Sequence, residues 1–128
     1  MKIFNSIQDW LKERESLNET TIGFIPTMGA LHEGHLSLVR KSVEENKVTL
    51  VSIFVNPTQF NNPDDLAKYP SQVDKDVEML RKAGANYVIT PTFDQLYPDK
   101  YRYKVTENDR ATVLCGKSRP GHFDGVLT

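Results

Sequence analysis

Cysteine is almost missing from this chain: Cys115 is the only one in 128 residues. A single thiol excludes an internal disulfide and any metal site built from several thiolates. It is expected to be a buried small hydrophobe rather than a nucleophile. Neither sign of charge is in excess, with sixteen Lys and Arg against seventeen Asp and Glu. No Lys/Arg-rich run breaks that balance, so nothing electrostatic draws the chain to nucleic acid. Long apolar runs are missing too. The longest, Leu50 to Val55, is interrupted by Ser52 and is far too short to span a bilayer. The opening MKIFNSIQDWLKERE has no apolar signal-peptide core. Internal repeats, low-complexity segments and flexible linkers are likewise lacking. What remains is one domain, long enough to bury a real core and expected in the cytoplasm.

The stretch around which the rest is organised is TIGFIPTMGALHEGHLSLVR, Thr21 to Arg40. It predicts a buried strand (Ile22, Phe24, Ile25), a tight loop through Pro26, Thr27, Met28, Gly29 and Ala30, and a helix beginning near Gly34. His32 and His35 stand where loop becomes helix. The first amides of a helix have no intrahelical acceptor, and the helix dipole adds partial positive charge there, so the junction is an anion site. The spacing alone leaves phosphate binding, a zinc pair and a solvated helix start as readings. Zinc would need a third protein ligand, and HEGH is not the HExxH spacing that sets two histidines one turn apart.

Around this stretch the pattern alternates helix and strand. A first helix is expected from about Ser6 to Leu17, with Ser6 as N-cap and Ile7, Trp10, Leu11 and Leu17 inward. The polar link Asn18-Glu19-Thr20 follows. The first strand's continuous hydrophobicity is that of a central parallel strand covered on both faces. The double-histidine helix turns Leu36, Val39 and Val43 inward and ends at Asn46-Lys47. Val48 to Val55 is a second buried strand, giving a βαβ unit. It runs into Asn56-Pro57-Thr58-Gln59-Phe60-Asn61-Asn62-Pro63, a loop of turn formers. Ligands of open α/β sheets bind beyond the carboxyl ends of the strands, so both loops are expected to line one crevice. A short helix from Asp64 to Tyr69 stops at Pro70. Ser71 and Asp74 make a capping box for a helix with Val73, Val77 and Leu80 inward and Gly84 as its left-handed C′ residue. Tyr87 to Thr90 is a third buried strand. Tyr101 to Thr106 alternates like a half-exposed antiparallel strand. GKSRPGHFDGVLT, holding Lys117, Arg119 and His122, reads as another functional loop, its last residues entering a helix.

PTMGALHEGH (Pro26 to His35), VSIFVNPTQF (Val51 to Phe60), PDDLAKYP (Pro63 to Pro70) and SRPGHFDGV (Ser118 to Val126) occur in this order. With them the chain resembles the pantothenate synthetases (pantoate–β-alanine ligases), within the HxGH nucleotidyltransferase superfamily. HxGH alone is shared with many nucleotidyltransferases and class I aminoacyl-tRNA synthetases; the four segments together are specific. The resemblance implies an α/β fold, a Rossmann-like doubly wound parallel sheet. It makes residues 1–128 the N-terminal nucleotide-binding domain, truncated before its last strands and without the C-terminal domain. A further strand beside the first one is then missing, which would leave an apolar edge.

The resemblance also implies a reaction. ATP, with Mg2+ as co-substrate and no tightly bound cofactor, drives condensation of (R)-pantoate with β-alanine through a pantoyl adenylate. It places ATP on Met28, Gly29, Ala30, Leu31, His32, Glu33, Gly34 and His35, with His35 and His32 catalytic and His35 the proton donor. It places pantoate and β-alanine at Gln59, with Asn56, Tyr69 and Val126 nearby. Pro26, Thr27, Arg119 and His122 are further candidates. No metal ligand is expected from side chains here, and a homodimer is. The expectation for this chain alone is negligible ligase activity and weakened ATP affinity. A nucleotidylyltransferase or a non-catalytic binding fragment are the alternatives.

Overall fold

A computed structural model describes residues 1–18 and 20–128; Glu19, in the middle of the expected polar link, lies outside the described residues. The chain divides into two compact units, Met1–Phe54 with Pro70–Leu96, and Val55–Tyr69 with Tyr97–Thr128.

The first unit is an α/β layer structure. Its elements in chain order are β1 (Lys2–Phe4), α1 (Ile7–Glu15), β2 (Ile22–Thr27), α2 (Glu33–Glu45), β3 (Val48–Ile53), α4 (Val73–Ala83), β4 (Tyr87–Ile89) and α5 (Phe93–Leu96); α3 (Pro63–Lys68) belongs to the second unit. The strands form one parallel sheet in the order β1-β4-β3-β2. Alternate strand residues feed two cores, as the pleat demands. Ile25, Val51, Ile53 and Val88 pack with Val39 of α2 and Leu80 of α4. Leu50 and Ile89 pack with Trp10 of α1, joined by Phe4, Ile22 and Tyr87. Helices therefore cover both faces of the sheet, which makes it doubly wound. Val39, Val51, Leu80 and Val88 are fully buried, each worth about 1.5–3 kcal/mol in removed apolar surface.

Several expectations need correction. The pattern does not announce β1, because three residues are too few for a period to register. β2 is not a central strand: among the described residues it is outermost, and Phe24 is 56% exposed. Pro26 sits in β2 without cost because the proline's missing N–H falls on an edge strand. Ser71 does not cap α4. Gln72 holds that position with no side-chain bond, and Val73 is 40% exposed while Asp76 is buried in the apolar stripe. Leu11 and Val43 are also exposed, and Ser42 takes the inner position on α2, bonded to Thr49. Gly84 ends α4 in the left-handed conformation as expected (φ 93°).

The second unit has no strand among its described residues. It holds a 3-10 turn (Pro57–Gln59), α3 capped by Asn62, a second 3-10 turn (Arg110–Thr112), α6 (Cys115–Ser118) and α7 (His122–Leu127). The strand expected at Tyr101 to Thr106 does not form. Lys100 and Tyr101 take positive φ (60° and 59°), and the Tyr103 amide donates to Asp99 Oδ2 rather than to a ladder. Cys115 is exposed, not buried.

Candidate functional site

In the first unit the motif is held from below and from within. Thr27, the last residue of β2, donates its hydroxyl to the Ser52 carbonyl (2.7 Å) and accepts the Gly29 amide (3.2 Å). The chain then reverses through two residues with positive φ, Gly29 (80°) and Ala30 (51°). A side chain at Gly29 would be strained by that φ and would press on Asp76 Oδ2 and Ile53. Leu31 is buried and anchors the turn in the core.

His32 is the N-cap of α2, with extended backbone. Its Nδ1 accepts the Gly34 amide (3.1 Å), and Nδ1 of His35 accepts the His32 amide (3.4 Å), a capping box made of two imidazoles. A ring nitrogen that accepts N–H carries no proton, so in each ring the hydrogen sits on Nε2. The ring centroids lie 4.1 Å apart. His32 is exposed and His35 half-buried. Burial pushes His35 below the ordinary histidine range, the neighbouring His32 pushes the same way, and Asp76 opposes them. The first turn thus carries two Nε2–H donors side by side. Met28 is half-buried, Pro26 is exposed, and Glu33 pairs with Arg40. A groove lined by Leu11, Arg14, Leu17, Asn18 and Ile22 contains none of the motif residues.

In the second unit Asn56 is the hub. Its Nδ2 donates to the Tyr97 hydroxyl (2.9 Å) and the Gly125 carbonyl (3.1 Å). Its Oδ1 accepts the Thr58 amide (3.2 Å) and hydroxyl (2.8 Å). The amide is buried and its bonding capacity is filled. α7 comes so close to the loop that a Cβ on Gly125 would lie 2.6 Å from the Thr58 backbone, so only glycine fits. The Gln59 carbonyl receives His122 Nδ1 (2.9 Å), which fixes the Nδ1–H tautomer there. The Gln59 side-chain amide has no hydrogen bond among the described residues. Tyr69 caps α3 and meets Phe60 edge-on at 5.7 Å. Val126 is 50% exposed on α7, and Arg119 ends α6 through its amide.

The sequence profile of the family described as pantoate-beta-alanine ligase matches residues 1–128. The chain belongs to the pantoate-beta-alanine ligase family. It is 49% identical to the pantothenate synthetase of Legionella pneumophila (strain Lens), covering 100% of this chain and 51% of that protein. Against the pantothenate synthetase of Coxiella burnetii (strain Dugway 5J108-111) the identity is 47%, over 99% of this chain and 49% of the relative. The fold superposes on the crystal structure of a Francisella tularensis pantoate-beta-alanine ligase complexed with beta-gamma ATP and beta-alanine. The TM-score is 0.91 and the identity 46%, covering 98% of this chain and 49% of that one. Pantothenate synthetase from Thermus thermophilus gives a TM-score of 0.86 at 35% identity, covering 98% of this chain and 45% of that one. The chain spans about half the length of the curated relatives it matches.

Within this ligase-family chain, the motif residues Thr27 to His35 form one continuous turn, and Asn56, Gln59, His122 and Gly125 form one bonded cluster. Arg119 makes no ion pair among the described residues. Tyr97, Thr58 and Gly125 escape a reading of the sequence because they act as hydrogen-bond partners and spacers, with no pattern of their own. Asp76 does leave a signal: it falls with Val77 and Leu80 on the inner stripe of a helix, where a carboxylate needs a reason. Among the described residues no group of three His, Cys, Asp or Glu is arranged to hold a metal ion.

Proposed function

We propose that this chain carries the ATP- and pantoate-binding residues of a pantothenate synthetase. The observation that supports this best is the imidazole capping box, because it leaves two Nε2–H donors on the opening turn of α2. Phosphate oxygens accept such donors, and the amides and dipole of the helix start add to them. In this reading ATP, accompanied by Mg2+ as part of the substrate, lies on Met28 to His35, with Pro26 and Thr27 behind it. A pantoate carboxylate oxygen attacks the α-phosphorus, the bond to pyrophosphate breaks, and an acyl adenylate forms. The β-alanine amine then attacks the acyl carbon and AMP leaves. Negative charge moves toward pyrophosphate in the first step, and one well-placed donor there is worth roughly 3–4 kcal/mol. His32 and His35 are the donors, acting through Nε2–H.

Gln59 is the proposed pantoate and β-alanine contact, since its open amide can bond hydroxyl and carboxylate together. Asn56 then acts by shaping the loop that presents Gln59, its own amide being occupied by Tyr97, Thr58 and Gly125. His122 does the same through the Gln59 carbonyl. Tyr69, Val126 and Arg119 border the small substrates. Residues 1–128 by themselves are proposed to bind these ligands without turning them over.

The test is calorimetry with Mg-ATP and, separately, with pantoate on the wild-type chain, His35→Ala and Gln59→Ala. His35→Ala is expected to weaken ATP alone and Gln59→Ala pantoate alone. A lost bond to a charged group corresponds to about 1.5–3 kcal/mol, roughly tenfold to a hundredfold. A wild-type chain that binds neither ligand overturns the reading. Pyrophosphate exchange with a phosphorylated alcohol in place of pantoate would favour a nucleotidylyltransferase.

A further inference from the structure

Asp76 is a fully buried carboxylate with no ion pair among the described residues. It stands on the first turn of α4, yet both of its oxygens are committed to the motif turn 45 and 46 residues away. Oδ2 accepts the Ala30 amide at 2.8 Å and Oδ1 the Leu31 amide at 2.8 Å. These are charge-assisted bonds to a pair of neighbouring amides, short and geometrically demanding. The turn they hold is one the backbone resists, since Ala30 is a non-glycine residue at φ 51°. Gly29 packs against the same carboxylate, where a Cβ would sit 3.0 Å from Oδ2.

Two consequences follow for the site. The Ala30 and Leu31 amides face inward and are withdrawn from any phosphate. His32 is the next residue, so the turn fixes where α2 starts and where both imidazoles stand. We infer that Asp76 is a positioning residue for nucleotide binding, clamping the Gly29–Leu31 turn so that Nε2–H of His32 and His35 is presented to the phosphates of ATP. This rests on the ATP reading above and extends it to a residue outside the motif.

Asp76→Asn keeps the shape and removes one acceptor, placing an NH2 against a backbone N–H. At a temperature where β3 and β4 amides remain protected, the variant is expected to exchange the Ala30 and Leu31 amides faster. The imidazole 15N signals of His32 and His35 should shift, and Mg-ATP should bind about tenfold or more weakly. Pantoate affinity should stay unchanged, as should all these readouts in the control Asp74→Asn. A contribution to stability alone would move neither the imidazole signals nor the ATP affinity of the folded protein. Should Asp76→Asn fail to fold, Asp76→Glu retains the charge but displaces the turn by one methylene, and the same loss of ATP affinity is expected. Wild-type ATP affinity in a folded Asp76 variant overturns this inference and leaves the ATP reading intact. Absence of ATP binding by the wild-type chain overturns both.

Discussion

At the scale of single residues, the motif histidines are unusual in doing two jobs with two nitrogens. Nδ1 of each accepts a backbone amide and Nε2–H remains for a ligand. For His35, burial disfavours the imidazolium, and protonating its Nδ1 would also set N–H against N–H in the cap. His35 is accordingly held below its ordinary value of 6.5. The sign of the pH effect follows. Below 6.5 the unfolded chain takes up a proton that folded His35 resists, so the folded state loses stability as pH falls. The contribution is complete above 6.5 and disappears as pH drops through the lower, folded value. The melting temperature of the wild-type chain is therefore expected to fall between pH 7 and pH 5 more steeply than that of His35→Gln. Calorimetric scans across that range decide it; parallel slopes for the two proteins would show that His35 is not the group involved.

At the scale of elements, capping and chemistry compete at the start of α2. Serine and asparagine are stronger N-caps than most residues, and the Ala-to-cap difference is typically about 1 kcal/mol. His32→Ser keeps an acceptor for the Gly34 amide and discards the Nε2–H donor. Thermal stability is expected to hold or rise slightly while ATP affinity drops tenfold or more, a split readable by melting and calorimetry on one sample. Equal loss of both would mean that His32 serves the helix only. The same element shows what the sequence reveals and what it conceals. β2, α2 and β3 are legible because each carries a run or stripe long enough for its period to show, β4 because Pro91 closes its short apolar run, and the loop–helix junction because glycine and histidine cluster there. Periodicity is blind to partners, however. It could place Asp76 on a helix but not say that its carboxylate reaches the Ala30 and Leu31 amides. It mistook Tyr101 to Thr106 for a strand because alternation says nothing about φ. It read the apolar content of Ile22 to Ile25 as burial on both faces, although continuous hydrophobicity does not reveal whether a strand has neighbours on one side or two. The Asn56 hub was recognisable only as an asparagine after a strand; its four bonds come from chain positions as distant as Gly125.

At the scale of the whole molecule, the two units are built with unequal cores. In the first unit Trp10, Ile25, Leu31, Val39, Val48, Leu50, Val51, Ile53, Leu80, Ala85, Val88 and Ile89 are buried. In the second, Tyr97 is the one buried large side chain among the described residues, and Tyr103, Val105, Val113, Leu114, Val126 and Leu127 are exposed. What orders the second unit is polar: the Asn56 bonds, the His122 contact to the Gln59 carbonyl and the seat of Gly125 on Thr58. A net hydrogen bond contributes only about 0.5–1.5 kcal/mol, against about 1.5–3 kcal/mol for each buried aliphatic side chain. Local stability should therefore differ, with residues 97–128 opening at a lower free energy than β3 and β4. Native-state hydrogen exchange in rising denaturant is expected to release the Gly116, His122 and Gly125 amides well before those of Val51 and Val88. Pantoate bound near Gln59 should narrow the gap, since a ligand at a hundred times its Kd adds about 2.7 kcal/mol to whatever it binds. Mg-ATP, by contrast, should protect the turn at Gly29 to Gly34. One common opening free energy for all these amides would mean that the polar hub is as strong as the apolar core, and exchange in residues 97–128 that ignores pantoate would remove Gln59 from the site.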